Sequence, residues 1–319
     1  MTRILVTGAS GFVGKHLTQY LLGLRNVEVF GMCRRFSFQK CVPGVREFHA
    51  DLLSPASLRK AFRKIKPHRV YHLAGKASVA ASLKNPRETF RLNVDGTKNL
   101  LEAALAEKCL PRIHIAGSAE VYGNTGRAGR LLTENSLLRP INPYAVSKLA
   151  QEFLARQYFL SRGLPIVCTR AFIHIGPGQS EHFVASSFAR QSALIALGLK
   201  NPEMRVGNLK AVRDFTDVRD VARAYYLALE KGRAGQVYNI CTGKPRKVEE
   251  ILRFYLDALS VRIRVFRESD RSPKADVSFL AGNSRKLREL TGWRPRHTFG
   301  QTLNDLLVYW TKRIRDEKK

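Results

Sequence analysis

Eight residues near the amino terminus, TGASGFVG at 7–14, constrain this chain more than any other stretch. They set Gly8, Gly11 and Gly14 between an apolar run, RILVT, that reads as a buried strand and a segment, FVGKHLTQYLLGL, with apolar residues at helical spacing. Without side chains at these positions the start of the helix can lie against the strand. Backbone amides can then approach a pyrophosphate at the helix N-terminus. A tight strand-to-helix turn with no ligand is the alternative, and the glycine pattern alone does not separate the two.

The rhythm continues through the first half. VEVFGMCR, REFHA and HRVYHLAG read as strands, VDGTKNLLEAALAE as a helix, RIHIAGS as a strand, PYAVSKLAQEFLARQYFLSRG as a long helix and PIVCTRAF as a strand. Strands separated by helices predict an α/β fold with a doubly wound parallel sheet of Rossmann type. After Gly176 the pattern changes. GPGQ is turn chemistry, the stretch to Lys200 is largely helical, FTDVRDVARAYYLALEK reads as a helix and QVYNICTG as a strand. The expected organisation is a dinucleotide-binding domain at 1–173 plus 211–240, and a smaller α/β substrate lobe at 174–210 plus 241–319.

With 319 residues and 44% hydrophobic content the chain can bury a full core. Its five cysteines, 33, 41, 109, 168 and 241, are odd in number, widely spaced and free of any CxxC pair. That argues against a disulfide framework and against a metal site, and points to reduced thiols in the cytoplasm. No secretory signal pattern and no apolar run of ~18 residues is present, so a soluble protein without membrane contact is expected. The 55 Lys and Arg against 26 Asp and Glu give a net charge of +29, which attracts anions of every kind. Dispersed basic clusters such as KPRK at 244–247, with no recognised reader motif, read as solvated surface rather than a nucleic-acid site.

The residues Gly8, Ser10, Gly11, Phe12, Val13 and Gly14 are the expected phosphate-binding turn. At the end of the second strand, where an acidic residue commonly receives the ribose hydroxyls, stand Arg34 and Arg35. Two guanidiniums there suit a 2′-phosphate, so NADPH is expected ahead of NADH; two exposed surface arginines are the alternative. Asp51 and Leu52, after REFHA, are placed to meet the adenine.

Tyr144 and Lys148 are spaced i,i+4 in NPYAVSKLAQEFL, so a helix starting near Pro143 sets phenol and ammonium on one face. Bringing a tyrosine from ~10 towards 7 takes ~4 kcal/mol. One ammonium at ~4 Å in an effective dielectric of ~20 supplies energy of that order. Ser118, in IAGSAEVYG, follows a strand and can hydrogen-bond the same substrate oxygen. The expected chemistry is proton exchange at an alcohol or carbonyl oxygen beside a nicotinamide.

Taken together, TGASGFVG, DLLS, HLAGKASVAAS, NVDGTKNLLEAA, SAEVYG and YAVSK resemble the extended short-chain dehydrogenase/reductase family over nearly the full chain. Towards the carboxyl end HIGPGQ, VGNLKAVRDFTDVRDVARAY, YNICTG and LRELTGWRPR look most like its GDP-4-keto-6-deoxy-mannose reductases, relatives of the GDP-mannose 4,6-dehydratases. The resemblance implies a nucleotide sugar, here a GDP-sugar, entering between two lobes and hydride transfer to its C4 ketone. Tyr144 would give the proton, Ser118 polarise the carbonyl, and Lys148 hold the nicotinamide ribose and tune Tyr144. It adds Leu73, Ala74, Gly75 and Asn93 to the cofactor contacts, and His174, Arg213, Arg271 and Asp276 to the substrate contacts. A buried ion pair of Arg213 with Asp214 or Asp217 is the structural alternative.

The chain departs from the family at Ile173, where relatives commonly carry Asn. Glu120 matches the residue that handles the C5 proton in related dehydratases, which keeps dehydration open. Ala119, in the place where those relatives carry an acid or Ser, cannot assist departure of the C6 hydroxyl, which favours reduction. A cofactor-sensing or RNA-binding protein is the non-enzymatic alternative. The apolar faces of VDGTKNLLEAALAE and of the Tyr144 helix lead to the expectation of a homodimer, with burial inside one chain as the competing use of those faces.

Overall fold

The computed structural model describes residues 1–33, 40–125, 129–259, 261–268 and 277–317. Its largest layer is a seven-stranded parallel sheet built from β1 (Thr2–Thr7), β2 (Val27–Cys33), β3 (Arg46–His49), β4 (Arg69–His72), β5 (Arg112–Ser118), β6 (Ile166–Ala171) and β10 (Val237–Ile240). The spatial order is β3-β2-β1-β4-β5-β6-β10, so the winding reverses between β1 and β4. In open sheets of this kind the crevice outside the carboxyl ends of those two strands receives the ligand.

Helices cover both faces. On one side α1 (Phe12–Leu22), α8 (Val218–Lys231) and α10 (Arg285–Thr291) bury Leu17, Leu21, Val221, Leu229, Leu287 and Trp293 against β1, β6 and β10. On the other, α2 (Pro55–Ile65), α5 (Gly96–Ala106) and α6 (Pro143–Arg162) bury Leu58, Phe62, Leu100, Leu101, Ala155 and Tyr158. Two short helices, α3 (Val79–Lys84) and α4 (Pro86–Phe90), precede α5 and pack on α6. The strands are apolar on both faces because both are covered, which is why they read as continuous apolar runs. Local chemistry sets the helix starts: Ser54 caps α2 with Pro55 next, and Asn142 caps α6, accepting from the Ala145 amide at 2.8 Å, with Pro143 next.

The smaller lobe has its own sheet, β11 (Pro245–Lys247), β9 (Val212–Asp217) and β13 (Phe279–Leu280), with β7 (Ile173–Ile175) also paired to β9. A two-stranded ribbon pairs β8 (Glu203–Val206) with β12 (Arg264–Arg267). The helices α7 (Val184–Ala196), α9 (Val248–Asp257) and α11 (Phe299–Asp316) close a separate core around Phe188, Tyr255, Leu303 and Trp310. No helix among the described residues is long and apolar enough to cross a membrane.

The expected division of the chain differs in three places. Residues 212–217, expected in the main domain and partly in a helix, form β9 of the smaller sheet, and α8 begins only at Val218. Ile173, expected in the first domain, opens β7 of the same small sheet. Residues 285–293, expected in the smaller lobe, pack on the main one through Leu287 and Trp293, whose indole nitrogen donates to the Asp220 carbonyl at 3.0 Å. A short strand followed at once by a helix leaves no loop at the join, and the one mark in FTDVRDV is Asp217, whose side chain caps α8 by accepting from the Arg219 amide at 2.8 Å.

The glycine turn is as tight as its pattern implies. Gly8 has φ +71°, a left-handed conformation, and a Cβ there would stand 2.9 Å from the Ala74 nitrogen. At Gly14 a Cβ would fall 2.1 Å from the Gly8 carbonyl oxygen, so α1 can lie on β1 only because that position has no side chain. Gly14→Ala is expected to destabilise the protein by ~2–3 kcal/mol, the scale of a forced backbone shift in a packed core. A urea midpoint equal to wild type would refute that packing argument.

Candidate active site

Along the carboxyl edge of the large sheet and between the lobes runs a cleft of about 760 Å³. Its walls include the expected Gly8, Ser10, Gly11, Phe12, Val13, Gly14, Asp51, Leu52, Leu73, Ala74, Gly75, Ser118, Glu120, Tyr144 and His174. Residues from widely separated sequence motifs thus meet on one surface. At the glycine turn, α1 starts at Gly11 with no side chain capping it, which leaves first-turn amides for an anionic group. Arg34, Arg35, Arg271 and Asp276 lie outside the described residues.

At the other end of the cleft stand Ser118, Glu120 and Tyr144. Ser118 is the last residue of β5 and pairs in register with Ala171 of β6. Tyr144 sits in the first turn of α6, held by its backbone amide, which donates to the Ser82 hydroxyl at 3.1 Å. Both residues face the cleft, and the Ser118 hydroxyl acts on the Tyr144 phenol in the direction that favours the phenolate. Glu120 follows in the 3₁₀ segment 119–125 and receives the Asn142 side-chain amide at 3.4 Å, which ties the cap of α6 to the cleft wall.

The expected acidification of Tyr144 by Lys148 is not what this structure shows. Burial pushes the phenol up to about 12, the Glu120 charge pushes the same way, and the Ser118 hydroxyl opposes them. Lys148 is brought down to about 8 by its own burial. Its ammonium donates to the Ala116 carbonyl at 2.8 Å and to Gln151 Oε1 at 2.9 Å. Helical spacing places the pair on one helix as expected. The lysine head then takes the acceptors that the β5 backbone and the next helical turn provide.

Those contacts begin a buried chain. Gln151 donates to the Thr97 hydroxyl at 2.7 Å, Thr97 donates to the Asn93 carbonyl at 2.6 Å, and His72 Nε2 meets Thr97 at 3.0 Å. His72 Nδ1 meets the Thr7 hydroxyl at 2.8 Å, and that hydroxyl accepts from the Ala74 amide at 3.1 Å. Because Thr97 spends its single proton on Asn93, His72 must donate through Nε2 and accept at Nδ1. Burial holds this imidazole neutral, down to about 3. Asn93, expected to touch the cofactor, is fully buried; its side-chain amide donates to the Lys76 carbonyl and to Ser147, and its oxygen accepts from the Lys76 amide at 2.8 Å. Its role is to hold the turn after β4.

On the substrate side the His174 ring stacks on Phe12, centroids 6.1 Å apart, and Nδ1 donates to the Phe172 carbonyl at 3.1 Å. Arg213 is buried on β9 beside Leu280 of β13, which lines the cleft, and donates to the Val212 carbonyl at 2.9 Å. The Asp214 carboxylate is taken by Thr242 and Gly243, and that of Asp217 by Arg219 and Thr302. Sequence reasoning misses Cys33, Gln179, His182, Phe183 and Leu280, which also line the cleft. Gln179 is the most telling of them, since its Oε1 is buried without a hydrogen-bond partner while its Nε2 donates to the His174 carbonyl at 2.9 Å. The GPGQ turn is its only signal.

Comparison with known proteins fits this site. The GDP-mannose 4,6 dehydratase family model matches residues 5–306. This chain belongs to that family, within the extended short-chain dehydrogenases/reductases. The GDP-6-deoxy-D-mannose reductase of Pseudomonas aeruginosa is 36% identical over 315 residues, covering 99% of each chain. The solved structure of RMD from Pseudomonas aeruginosa complexed with NADPH superposes with a TM-score of 0.87 at 36% identity, covering 98% of this chain and 100% of that one. The Thermus thermophilus UDP-glucose 4-epimerase, solved in complex with NAD, gives 0.87 at 30% identity, covering 97% and 99%.

Membership makes the chain an NAD(P)-dependent enzyme that modifies a nucleotide sugar. The residues present fit such a cofactor: an uncapped helix start beside three glycines, and an apolar wall at Leu52, Leu73 and Ala74.

The buried family lysine has a consequence for stability. Between pH 8 and 10.5 the unfolded chain holds a proton that folded Lys148 has released. The cost of burying it is therefore complete below about 8 and fades as pH rises. The stability of wild type relative to Lys148→Met is expected to rise by ~1–3 kcal/mol from pH 8 to pH 10 in urea melts. A difference flat across that range would refute the burial argument.

Proposed function

We propose that the protein is an NADPH-dependent 4-ketoreductase that converts GDP-4-keto-6-deoxy-D-mannose to GDP-6-deoxy-D-mannose (GDP-D-rhamnose). The observation that carries this reading is that Ser118 and Tyr144 meet in the wall of the cleft, with a phenol that burial keeps protonated. Reduction of a ketone needs a proton donor at the oxygen as the carbon receives hydride, and a protonated phenol beside a hydroxyl supplies it. NADPH, when bound, supplies the hydride. Ser118 orients the C4 oxygen, Tyr144 delivers its proton there, and Lys148, fixed by Ala116 and Gln151, holds the α6 turn that carries Tyr144 against β5.

Several further observations support the finer points. The similar Pseudomonas protein is named GDP-6-deoxy-D-mannose reductase, and the solved relative carries NADPH. The preference for NADPH rests also on the sequence positions of Arg34 and Arg35. On the substrate side the reading gives His174 and Gln179 the sugar and Arg213 the diphosphate, with Arg271 and Asp276 as nucleotide contacts. A second reading, dehydration of GDP-mannose, is favoured by one observation, the presence of Glu120 in the cleft wall. Against it, neighbouring Ala119 offers no acid and is buried.

The deciding experiment combines GDP-mannose, a separate 4,6-dehydratase, this protein and NADPH, and identifies the sugar by NMR. GDP-6-deoxy-D-mannose is expected only when this protein is present. The 4-keto compound left unreduced would refute the reductase reading, and keto product formed without the added enzyme would establish dehydration. In the same assay Tyr144→Phe is expected to lower turnover by at least ~10²-fold with NADPH affinity retained. Near-normal turnover would remove Tyr144 from the mechanism.

We also propose a homodimer. The apolar face of α5 is spent inside the chain, since Leu100, Leu101, Ala103 and Ala104 are all buried. The outer face of α6 is not: Val146, Phe153 and Leu160, seven residues apart, are exposed, with Leu83 and Phe90 also exposed on neighbouring α3 and α4. A stripe of this kind marks an interface. Light scattering at micromolar concentration is expected to give twice the 36.0 kDa of the chain, and Phe153→Lys with Leu160→Lys to give the monomer. A wild-type monomer would overturn the proposal.

A further inference from the structure

Two cysteines that spacing rules treat as unrelated are neighbours at the edge of the cleft. Cys33 ends β2 and lines the cleft, and its sulfur lies 3.0 Å from that of Cys41. Only about 1 Å of closure separates that distance from the ~2.05 Å of a disulfide. Cys41 is held in place from two sides. Its amide donates to Glu47 Oε1 at 2.9 Å, and its sulfur occupies space that a side chain on Gly31 would fill, a Cβ there lying 2.8 Å from it.

We propose that Cys33 and Cys41 form a reversible disulfide couple that weakens cofactor binding when it closes. Cys33 is the attacking sulfur. The hydrogen bond with the Cys41 thiol brings it down to about 7 against the opposing effect of burial. The oxidant is a low-molecular-weight disulfide such as oxidised glutathione. The Cys33 thiolate attacks one of its sulfurs, and one glutathione thiolate leaves. Cys41 gives its proton to solvent and attacks the Cys33 sulfur of the mixed disulfide, and the second glutathione thiolate leaves. Two protein thiols are oxidised and one small disulfide is reduced to two thiols.

The link to the cofactor runs through the end of β2: the Gly8 amide of the glycine turn donates to the carbonyl of Met32, the residue before Cys33, at 3.3 Å, and Ser10 and Cys33 both line the cleft. Closing the bridge draws the Cys33 sulfur towards Cys41, which shifts the end of β2 and loosens its hold on the turn. The expected loss of NADPH affinity is about three- to tenfold, the scale of one hydrogen bond. This consequence rests on the cofactor reading above; formation of the bridge does not.

The test uses the full-length protein incubated with excess oxidised glutathione, then denatured, alkylated and mapped by mass spectrometry. Three of the five cysteines should be alkylated and Cys33 and Cys41 found in one linked peptide, reversed by dithiothreitol. NADPH titrated by fluorescence should bind about three- to tenfold more weakly to the bridged form. Cys41→Ser should stop at a stable glutathione adduct on Cys33. Five alkylated thiols, a linkage through other cysteines, or unchanged NADPH affinity of the bridged protein would overturn the proposal. So would one zinc per chain retained on these thiols after purification, since with Glu47 they form three donors within 4.8 Å of one another. A reduced protein that binds no NADPH refutes the cofactor reading instead, and the linked peptide then decides the couple alone.

Discussion

An ammonium buried to 7% exposure is the interaction around which the catalytic half of this molecule is arranged. A lysine in that position must find acceptors or give up its charge, and Lys148 does part of each. It takes the Ala116 carbonyl from the middle of β5 and the side chain of Gln151 one turn along α6, and its affinity for the proton still falls. Satisfying Gln151 then requires Thr97, which requires His72, which requires Thr7 at the end of β1. The strand that carries the glycine turn and the helix that carries Tyr144 are thereby joined through a continuous buried polar chain. Such chains specify a unique arrangement because every alternative strands a polar group away from water.

The reversal of winding between β1 and β4 gives that chain its place. Two strands diverge there to opposite faces, and what remains between their carboxyl ends is the glycine turn on one side and Leu73–Gly75 on the other. Gly8 admits the Ala74 backbone to within contact, and Gly14 admits Gly8, so three segments of backbone meet with almost no side chain between them. The smaller lobe is attached at the same edge. β7 follows β6 directly and pairs with β9, which runs straight into α8 on the back of the main sheet. The chain therefore enters the lobe three times, through β7–β9, β11–β13 and α11, and the segments that line the cleft from above, Ile173–Ile175 and Gln179, follow the strand next to Ser118.

Where the chain alternates between apolar runs and helical periodicity, the architecture can be read directly: β1, α1, β5 and α6 lie within a residue or two of where their residue patterns predict them. Failures fall where local pattern carries no information about partners. FTD and VRDVARAY are contiguous, so the pattern reads the last three residues of β9 as helix, and the strand's membership of a second sheet depends on pairing with residues near 173 and 280. Much the same holds at the site. Motif residues are legible because phosphate binding and proton transfer need particular side chains at particular spacings. The cofactor contacts expected of Asn93 and Lys148 come from the family resemblance; what the residue pattern does not foretell is the backbone that each also holds, the Lys76 amide for Asn93 and the Ala116 carbonyl for Lys148. Cys33 and Cys41 are invisible as a pair, since eight residues of separation matches no metal or redox spacing and only the path from β2 to β3 brings them together.

Burial moves the two titrating members of the constellation in opposite directions on the pH scale and toward the same condition, neutrality. Tyr144 rises to about 12 and Lys148 falls to about 8. A phenol in that state stays protonated at neutral pH and is a weaker acid than free tyrosine, so its proton leaves only towards an oxygen that is itself gaining charge. The opposite step, withdrawing a proton from an alcohol, needs positive charge brought to the phenol from elsewhere to offset desolvation. Lys148 does not provide it here, because its head is turned to Ala116 and Gln151 and its charge does not figure among the influences on Tyr144.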